Sequence, residues 1–202
     1  MELDIVVTVG VFATWVTVSV VLIFGRREWR GESVRSRRPW GMLGLVLQAA
    51  GMAIAWGWKR EDATPFVAAA NPVAWAMAAA TIGVAWASAA FAVAAIRTLG
   101  KQWSLLPRLV EGHDLIEEGP YSIVRHPIYT AFLGLLIATG VTFSTIEGTL
   151  AAIALYLVGT WIRVRFEERL LREVFGERFD EYSRRVPPLL PFTRLRRFSV
   201  PS

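Results

Sequence analysis

The chain has 202 residues, of which 54% are hydrophobic and 19% charged, and its mean hydropathy is +0.42. This composition is too apolar for an ordinary soluble domain of this length and is typical of an integral membrane protein. The absence of cysteine excludes disulfides, a thiolate nucleophile and a thiolate metal site. With two histidines in the chain, a protein metal site would depend on carboxylates, and we expect none. The net charge of +5 comes mostly from the Lys and Arg residues that flank the predicted membrane segments, as described below. We therefore expect no nucleic-acid partner.

Five apolar segments are candidates to cross ~30 Å of hydrocarbon, which takes roughly 20 helical residues. The first three are residues 5–24, 40–58 and 72–96. The acids Glu2 and Asp4 precede the first segment, where a signal peptide would carry basic residues, so we interpret it as a span. Asn71-Pro72 marks the start of the third helix.

A helical hairpin is predicted for residues 127–162, because their one charged residue, Glu147, lies beside Gly148 and forms a polar tip. Each arm is short, which leaves a tilted or an incomplete second crossing open. We therefore predict an all-α, polytopic transmembrane bundle of about five spans. Residues 1–98 form its N-terminal three helices, and residues 99–202 form a second part that carries the polar motifs.

Lys and Arg predict the orientation, because cytoplasmic flanks retain them. Residues 25–39 hold six arginines, residues 97–126 hold four basic residues and the chain after Ile162 holds ten, whereas the opposite side has Lys59 and Arg60. Five spans with the N-terminus outside place all three basic segments, and the C-terminus, in the cytoplasm. The charge count and the span count agree.

An Arg-His-Pro triplet, residues 125–127, lies directly before the predicted hairpin. Proline suits the first helical position, so Arg125 and His126 would lie at the positive end of a helix, which favours an anionic group such as a carboxylate. The alternative is that Arg125 extends to lipid phosphate and His126 merely caps the helix. The triplet by itself favours this alternative.

Residues 161–182 are predicted to form an amphipathic helix that leaves the last span. Its apolar positions recur at three- and four-residue steps and are Phe166, Leu170, Leu171, Val174, Phe175, Phe179 and Tyr182. Arg163 and Glu167 align with this stripe and should face inward, whereas Glu168 and Arg172 read as a solvated i, i+4 pair. An inward acid needs a partner to offset desolvation, so Glu167 is either a functional carboxylate or one half of a structural salt bridge with Arg163.

The C-terminal half carries an ordered set of motifs: "LGKQWS" (99–104), "GHDLIEEGPY" (112–121), "RHPIY" (125–129) and "FEERLLREVFGERFDEYSRRVPPLLPF" (166–192). Together they resemble the isoprenylcysteine carboxyl methyltransferase family and its wider group, which includes phospholipid methyltransferases. The resemblance implies a membrane-embedded enzyme that uses S-adenosyl-L-methionine at the cytoplasmic face, with a lipophilic acceptor entering from the bilayer and membrane lipids around it.

The resemblance also implies roles for particular residues. Cofactor contacts correspond to His113, Asp114, Leu115, Ile116, Tyr121, His126, Pro127, Ile128, Tyr129 and the acid Glu167. Arg163 corresponds to a substrate-facing catalytic arginine. A carboxylate acceptor needs no general base because it is ionised near neutral pH. The sequence therefore favours O-methylation of an acceptor such as a C-terminal isoprenylcysteine.

Three other functions stay open at this level. A phospholipid N-methyltransferase would need a base to remove the proton of its amine acceptor. An NADPH-dependent membrane sterol-type reductase resembles the same C-terminal region and would bind a 2′-phosphate. A non-catalytic membrane protein could use the same motifs as helix caps.

Overall fold

The computed structural model describes residues 2–24, 39–60, 72–103 and 114–191. Those residues form helices and contain no strand. The six α-helices are α1 (Glu2–Phe24), α2 (Pro39–Gly57), α3 (Pro72–Leu99), α4 (Pro127–Phe143), α5 (Ile146–Phe175) and α6 (Glu177–Arg185). Short 3-10 turns lie at Gly100–Gln102 and Gly119–Ser122. The basic segment 25–38, Asn71, His113 and residues 192–202 lie outside the described residues.

The helix boundaries follow the proline and turn signals of the sequence. α3 begins at Pro72 and α4 at Pro127, where a missing N–H costs no helical hydrogen bond. The hairpin turns at Ser144 and Thr145, and the Thr145 hydroxyl accepts a hydrogen bond from the Gly148 backbone N–H at 3.1 Å, which caps the start of α5. The all-helical fold is confirmed over the described residues, and so is the predicted hairpin, although it turns at Ser144 and Thr145, just before the expected tip at Glu147 and Gly148.

Among the residues that the structure describes, three helices are long and apolar enough to cross a membrane, over Glu2–Ile23, Pro72–Leu99 and Ile146–Phe175. Two shorter apolar helices, Gly41–Gly57 and Pro127–Phe143, lie among them. The 17 residues of α4 span about 25 Å at 1.5 Å per residue, which is slightly less than the hydrocarbon layer. Five spans, and the orientation of the termini, stay predictions.

The packing pairs α2 with α5, and α3 with both α1 and α4. α2 and α5 approach closely because Gly44 and Gly159 face each other: a Cβ atom at Gly159 would lie 2.6 Å from the Gly44 carbonyl oxygen. Small residues allow such close contact between apolar helices. Large apolar side chains such as Ile5, Val9 and Leu150 stay exposed on the outside of the bundle, as expected for a lipid-facing surface.

The predicted single helix over residues 161–182 is wrong, because the chain breaks at Gly176 into the end of α5 and the separate α6. Gly176 has φ +52°, a conformation that a residue without Cβ adopts readily. The break turns α6 back over the segment before α4, where Phe179 and Tyr182 pack with Leu115 in a small cluster. Val174, which the periodicity placed inward, is 54% exposed.

Candidate active site

A cavity of about 360 Å³ lies where the segment 114–129, α5 and α6 meet the middle of α2 and the C-terminal ends of α1 and α3. This volume is within the range of ~300–1,000 Å³ typical of small-molecule sites. One part of the wall is polar, with Arg125, His126, Arg163 and Glu167, and another part is apolar, with Leu22, Leu45, Ala49, Met52 and Phe132. The cavity therefore combines charged groups with a hydrocarbon-lined region.

Ten of the eleven residues singled out from the sequence line this one cavity. They are Asp114, Leu115, Ile116, Tyr121, His126, Pro127, Ile128, Tyr129, Arg163 and Glu167. The eleventh, His113, lies outside the described residues. Their common location is a structural finding, and their roles in binding and catalysis stay predictions.

Glu167 lies at the centre of the polar part, with its side chain 20% exposed. Its Oε1 accepts a hydrogen bond from the Tyr129 hydroxyl and lies 3.5 Å from an Arg163 guanidinium nitrogen. Its Oε2 lies 3.4 Å from Nδ1 of His126. The prediction that Arg163 and Glu167 face inward is confirmed. The two residues form a salt bridge, and both also line the cavity.

The expectation that Glu168 and Arg172 form a solvated pair is wrong. Glu168 is 16% exposed, and its Oε1 accepts hydrogen bonds from Nε and Nη2 of Arg125 at 2.9 and 2.6 Å. Arg172 donates instead to Asp180, on α6, at 2.8 Å. The physical reason is that α5 packs on two sides here, so the position next to Glu167 also faces protein.

The Arg-His-Pro triplet is held by the chain itself. Arg125 donates from its guanidinium to the backbone carbonyl oxygens of Ser183 and Val186, and from its backbone N–H to Pro187 at 2.9 Å. His126 is the N-cap residue of α4, but its side chain makes no capping hydrogen bond. His126 therefore occupies the N-cap position that the simple alternative gives it, although its imidazole does not cap the helix. The Arg125 side chain is 10% exposed and is bound by protein groups instead of extending to the lipid surface.

The imidazole of His126 bridges two carboxylates. Its Nδ1 lies 3.4 Å from Glu167 and its Nε2 lies 3.3 Å from Glu168. Burial alone lowers the pKa of His126, but its hydrogen bonds with Glu167 and Glu168, and their negative charges, outweigh burial and raise that pKa above 6.5. The imidazolium form is favoured, since in that form both ring nitrogens donate.

Tyrosines complete the polar wall. The ring of Tyr129 stacks on His126 at 5.7 Å between centroids, and the Arg163 guanidinium carbon lies 5.2 Å above the same ring. The Tyr156 hydroxyl donates to the Tyr129 backbone carbonyl at 3.0 Å, which ties α5 to the first turn of α4. Burial, with the nearby charge of Glu167, raises the pKa of Tyr121, so this phenol stays protonated.

Three residues in or beside the site were missed by sequence reasoning. Gln48 reaches the cavity from α2, Tyr156 from α5, and Glu168 supports the wall through Arg125 and His126. A glutamine inside the apolar run 40–58 was the one available signal, because a polar residue within a predicted span is costly unless it is paired. Nothing in the sequence identifies its partners.

The comparisons with known proteins fall on the same part of the chain. A profile of the isoprenylcysteine carboxyl methyltransferase family matches residues 76–173. Protein-S-isoprenylcysteine O-methyltransferase B of Arabidopsis thaliana is 36% identical over 104 residues, covering 48% of this chain and 51% of that protein. Cobalt-zinc-cadmium resistance protein CzcN of Cupriavidus metallidurans is 35% identical over 101 residues, covering 48% and 45%.

Methanethiol S-methyltransferase of Pseudomonas deceptionensis is 39% identical over 75 residues, covering 37% of this chain and 27% of that protein. The chain spans about half the length, or less, of each of these relatives. The matched segment contains the polar wall from Arg125 to Glu168, whereas Leu22 and Gln48 lie outside it. On this evidence residues 76–173 of the chain are similar to the isoprenylcysteine carboxyl methyltransferase family.

Proposed function

We propose that the protein is an integral membrane methyltransferase that uses S-adenosyl-L-methionine and methylates the carboxylate of a lipophilic acceptor, such as a C-terminal isoprenylcysteine. The observation that carries the proposal is the pairing of Glu167 with Arg163, one helical turn apart, on the wall of one partly apolar cavity. A carboxylate suits a cationic reactant and a guanidinium suits an anionic one. The two groups therefore offer adjacent positions for two reactants of opposite charge.

The polar and apolar groups that line the cavity fit the cofactor. A carboxylate presents about four lone-pair positions, and Glu167 uses three of them on Tyr129, Arg163 and His126. One position remains for an ammonium or a ribose hydroxyl. The aromatic and aliphatic wall of Tyr121, Leu115 and Ile116 suits a planar base. When bound, S-adenosyl-L-methionine supplies a methyl group on a sulfonium that is ready for in-line displacement.

Arg163 is the group that would hold the acceptor. It is 4% exposed, and a guanidinium can hold a carboxylate through two charge-assisted hydrogen bonds. Such an acceptor is already ionised near neutral pH, so the protein's task is to orient it and to exclude water. The neighbouring apolar wall, with Leu45, Met52 and Phe132, suits the hydrocarbon part of the same molecule.

The state of His126 favours a carboxylate acceptor over an amine. An ammonium acceptor must lose a proton before it attacks, which requires a base. Both ring nitrogens of His126 face carboxylates, and its raised pKa favours the imidazolium, which cannot accept a proton. Phospholipid N-methylation would need a base from elsewhere.

The position of the site along α5 supports access from the bilayer. Trp161 is 59% exposed, and the Arg165 guanidinium lies 5.1 Å from its ring, as is typical of the boundary between hydrocarbon and headgroups. Ile146, at the other end of α5, lies about 23 Å from Trp161 along the helix axis. Arg163 and Glu167 follow Trp161 directly and therefore lie at the level where an acceptor's polar head would emerge.

The decisive experiment is calorimetry of the purified protein with S-adenosylhomocysteine and with NADPH, followed by transfer of a labelled methyl group to alternative acceptors. We expect binding of S-adenosylhomocysteine and methylation of a prenylated cysteine carboxylate such as N-acetyl-S-farnesylcysteine. Phosphatidylethanolamine and methanethiol test amine and thiol acceptors. Binding of NADPH without S-adenosylhomocysteine would contradict the proposed reaction class. Transfer to the amine but not the carboxylate would contradict the proposed acceptor.

A further inference from the structure

Gln48 is a buried polar residue in the otherwise apolar helix α2. It is 7% exposed, lines the cavity and lies outside the segment 76–173 that matches the family profile. A primary amide inside a membrane helix is costly unless both of its ends are hydrogen-bonded. Both ends of this amide therefore need hydrogen-bond partners within the protein.

The amide connects two residues of α5. Its Nε2 donates to the Thr160 hydroxyl at 2.8 Å, and its Oε1 lies 3.5 Å from Nη1 of Arg163. A guanidinium has donors and no acceptors, so the opposite amide orientation would set an NH₂ group against it. Arg163 therefore determines which end of the amide faces the cavity, and Thr160 anchors the other end.

Close packing of α2 on α5 brings the amide to this place. A Cβ atom at Gly159 would lie 2.9 Å from the Gln48 backbone nitrogen, and one at Gly44 would lie 2.6 Å from Cγ of Arg163. The two glycines let the backbones touch one turn away from the charged group. The short side chain of a glutamine then spans the remaining gap to both Thr160 and Arg163.

We propose that Gln48 is a positioning residue that holds the Arg163 guanidinium over Tyr129 for the acceptor. Glu167 attracts the guanidinium along α5, Gln48 attracts it across to α2 and the Tyr129 ring lies beneath it, so Gln48 is one of the contacts that determine its direction. Because the amide is neutral, it orients Arg163 without cancelling its charge. The inference rests on the proposed function for its catalytic consequence, but not for the geometry.

Two substitutions separate position from charge. Gln48→Met keeps the length and apolar bulk but removes both polar atoms. Gln48→Glu keeps an acceptor oxygen toward Arg163 but adds a negative charge beside the acceptor's place. Thr160→Val removes the anchor of the amide. Thr81→Val is its matched control, since the Thr81 hydroxyl bonds to the Met77 carbonyl within α3 and does not line the cavity.

A structure of each variant measures the arginine directly. We expect the guanidinium to leave its place over Tyr129 in Gln48→Met and to keep it in Gln48→Glu. An unmoved guanidinium in Gln48→Met would overturn the inference. This readout needs no acceptor, so it decides the geometry even if the wild-type protein fails to methylate every acceptor tested, an outcome that would count against the proposed function instead.

Kinetics test the catalytic consequence in an active protein. Loss of a hydrogen bond to a charged group corresponds to about a tenfold or larger fall in kcat/KM for the acceptor in Gln48→Met. Affinity for S-adenosylhomocysteine should stay within about twofold, because Gln48 contacts Arg163, which is proposed to hold the acceptor and not the cofactor. Gln48→Glu should raise the KM for the acceptor. Thr160→Val should lower kcat/KM, but by less than Gln48→Met does. Thr81→Val should resemble wild type. A parallel fall of cofactor affinity, melting temperature and turnover in Gln48→Met would show a merely structural role.

Discussion

Glu167 and Glu168 are adjacent on α5, yet both bind the same imidazole, one at each ring nitrogen of His126. Their other partners differ. Glu167 faces the cavity with Tyr129 and Arg163, whereas Glu168 is held by Arg125, which also binds the backbone around α6. The pair thus divides into a carboxylate available to a ligand and a carboxylate that holds the wall together.

This division predicts different consequences for the two glutamates. Glu167→Gln should weaken binding of S-adenosylhomocysteine by about tenfold or more, because a charge-assisted contact is worth about 1.5–3 kcal/mol. Glu168→Gln should lower the free energy of unfolding by about 1–3 kcal/mol, because Arg125 loses its anionic partner. Calorimetry and thermal unfolding on both variants measure the two effects. Equal losses of affinity at both positions would contradict the assignment.

Arg163→Ala separates the two reactants. If Arg163 orients the acceptor, its removal should leave S-adenosylhomocysteine affinity nearly unchanged while turnover falls. Arg163→Lys should recover part of the loss, because an ammonium keeps the charge but lacks the planar two-donor fork. If the arginine merely neutralises Glu167, then cofactor affinity, melting temperature and turnover should fall together in Arg163→Ala. Measuring all three on one sample distinguishes these roles.

The bridging imidazole predicts a pH-dependent stability. The pKa of His126 is raised in the folded protein, so its contribution is fully present below about pH 6.5 and is lost as pH rises through the folded-state pKa. The melting temperature of wild type should therefore fall more between pH 6 and pH 9 than that of His126→Gln. Identical slopes in the two proteins would show that the proton on His126 does not contribute to folding.

The glycine contact between α2 and α5 predicts a large difference between two similar substitutions. Gly159→Ala should destabilise the protein by about 1–3 kcal/mol, because the new Cβ would meet the Gly44 carbonyl oxygen at 2.6 Å. Gly83→Ala, on α3, is the control: nothing lies within 4 Å of its Cβ position, so the higher helix propensity of alanine should leave stability equal or slightly increased. Unfolding curves in detergent compare the two. Similar behaviour would show that the helices can separate without cost.

Five spans with the N-terminus outside predict alternating reporter signals. Arg60 and the hairpin tip share one end of the bundle, since Arg60 donates to the Thr142 carbonyl oxygen at 2.9 Å. Reporter fusions after Arg60 and Ser144 should read outside, and fusions after Gln102 and Pro191 should read inside. A fusion after Pro191 that reads outside would contradict the topology.

Local sequence determined where the helices form and which residues of α5 face inward. The length of the apolar runs predicts the helices, Pro72 and Pro127 begin α3 and α4, and the three- and four-residue spacing places Arg163 and Glu167 inward. Each of these inferences needs the properties of one segment alone. The ordered motifs of the C-terminal half predict the similarity to the isoprenylcysteine carboxyl methyltransferase family over residues 76–173, and the residues they identify meet in one cavity where they are described.

Other features were decided by the tertiary structure. A helical period places side chains relative to their own apolar stripe, but it does not say how many neighbours surround the helix. α5 has partners on two sides, so Glu168 faces Arg125 while Glu167 faces the cavity. Gln48 reaches Arg163 across more than a hundred residues of sequence, because two glycines let α2 and α5 touch. Such contacts depend on which helices pack together, and residues within one segment carry no information about that choice.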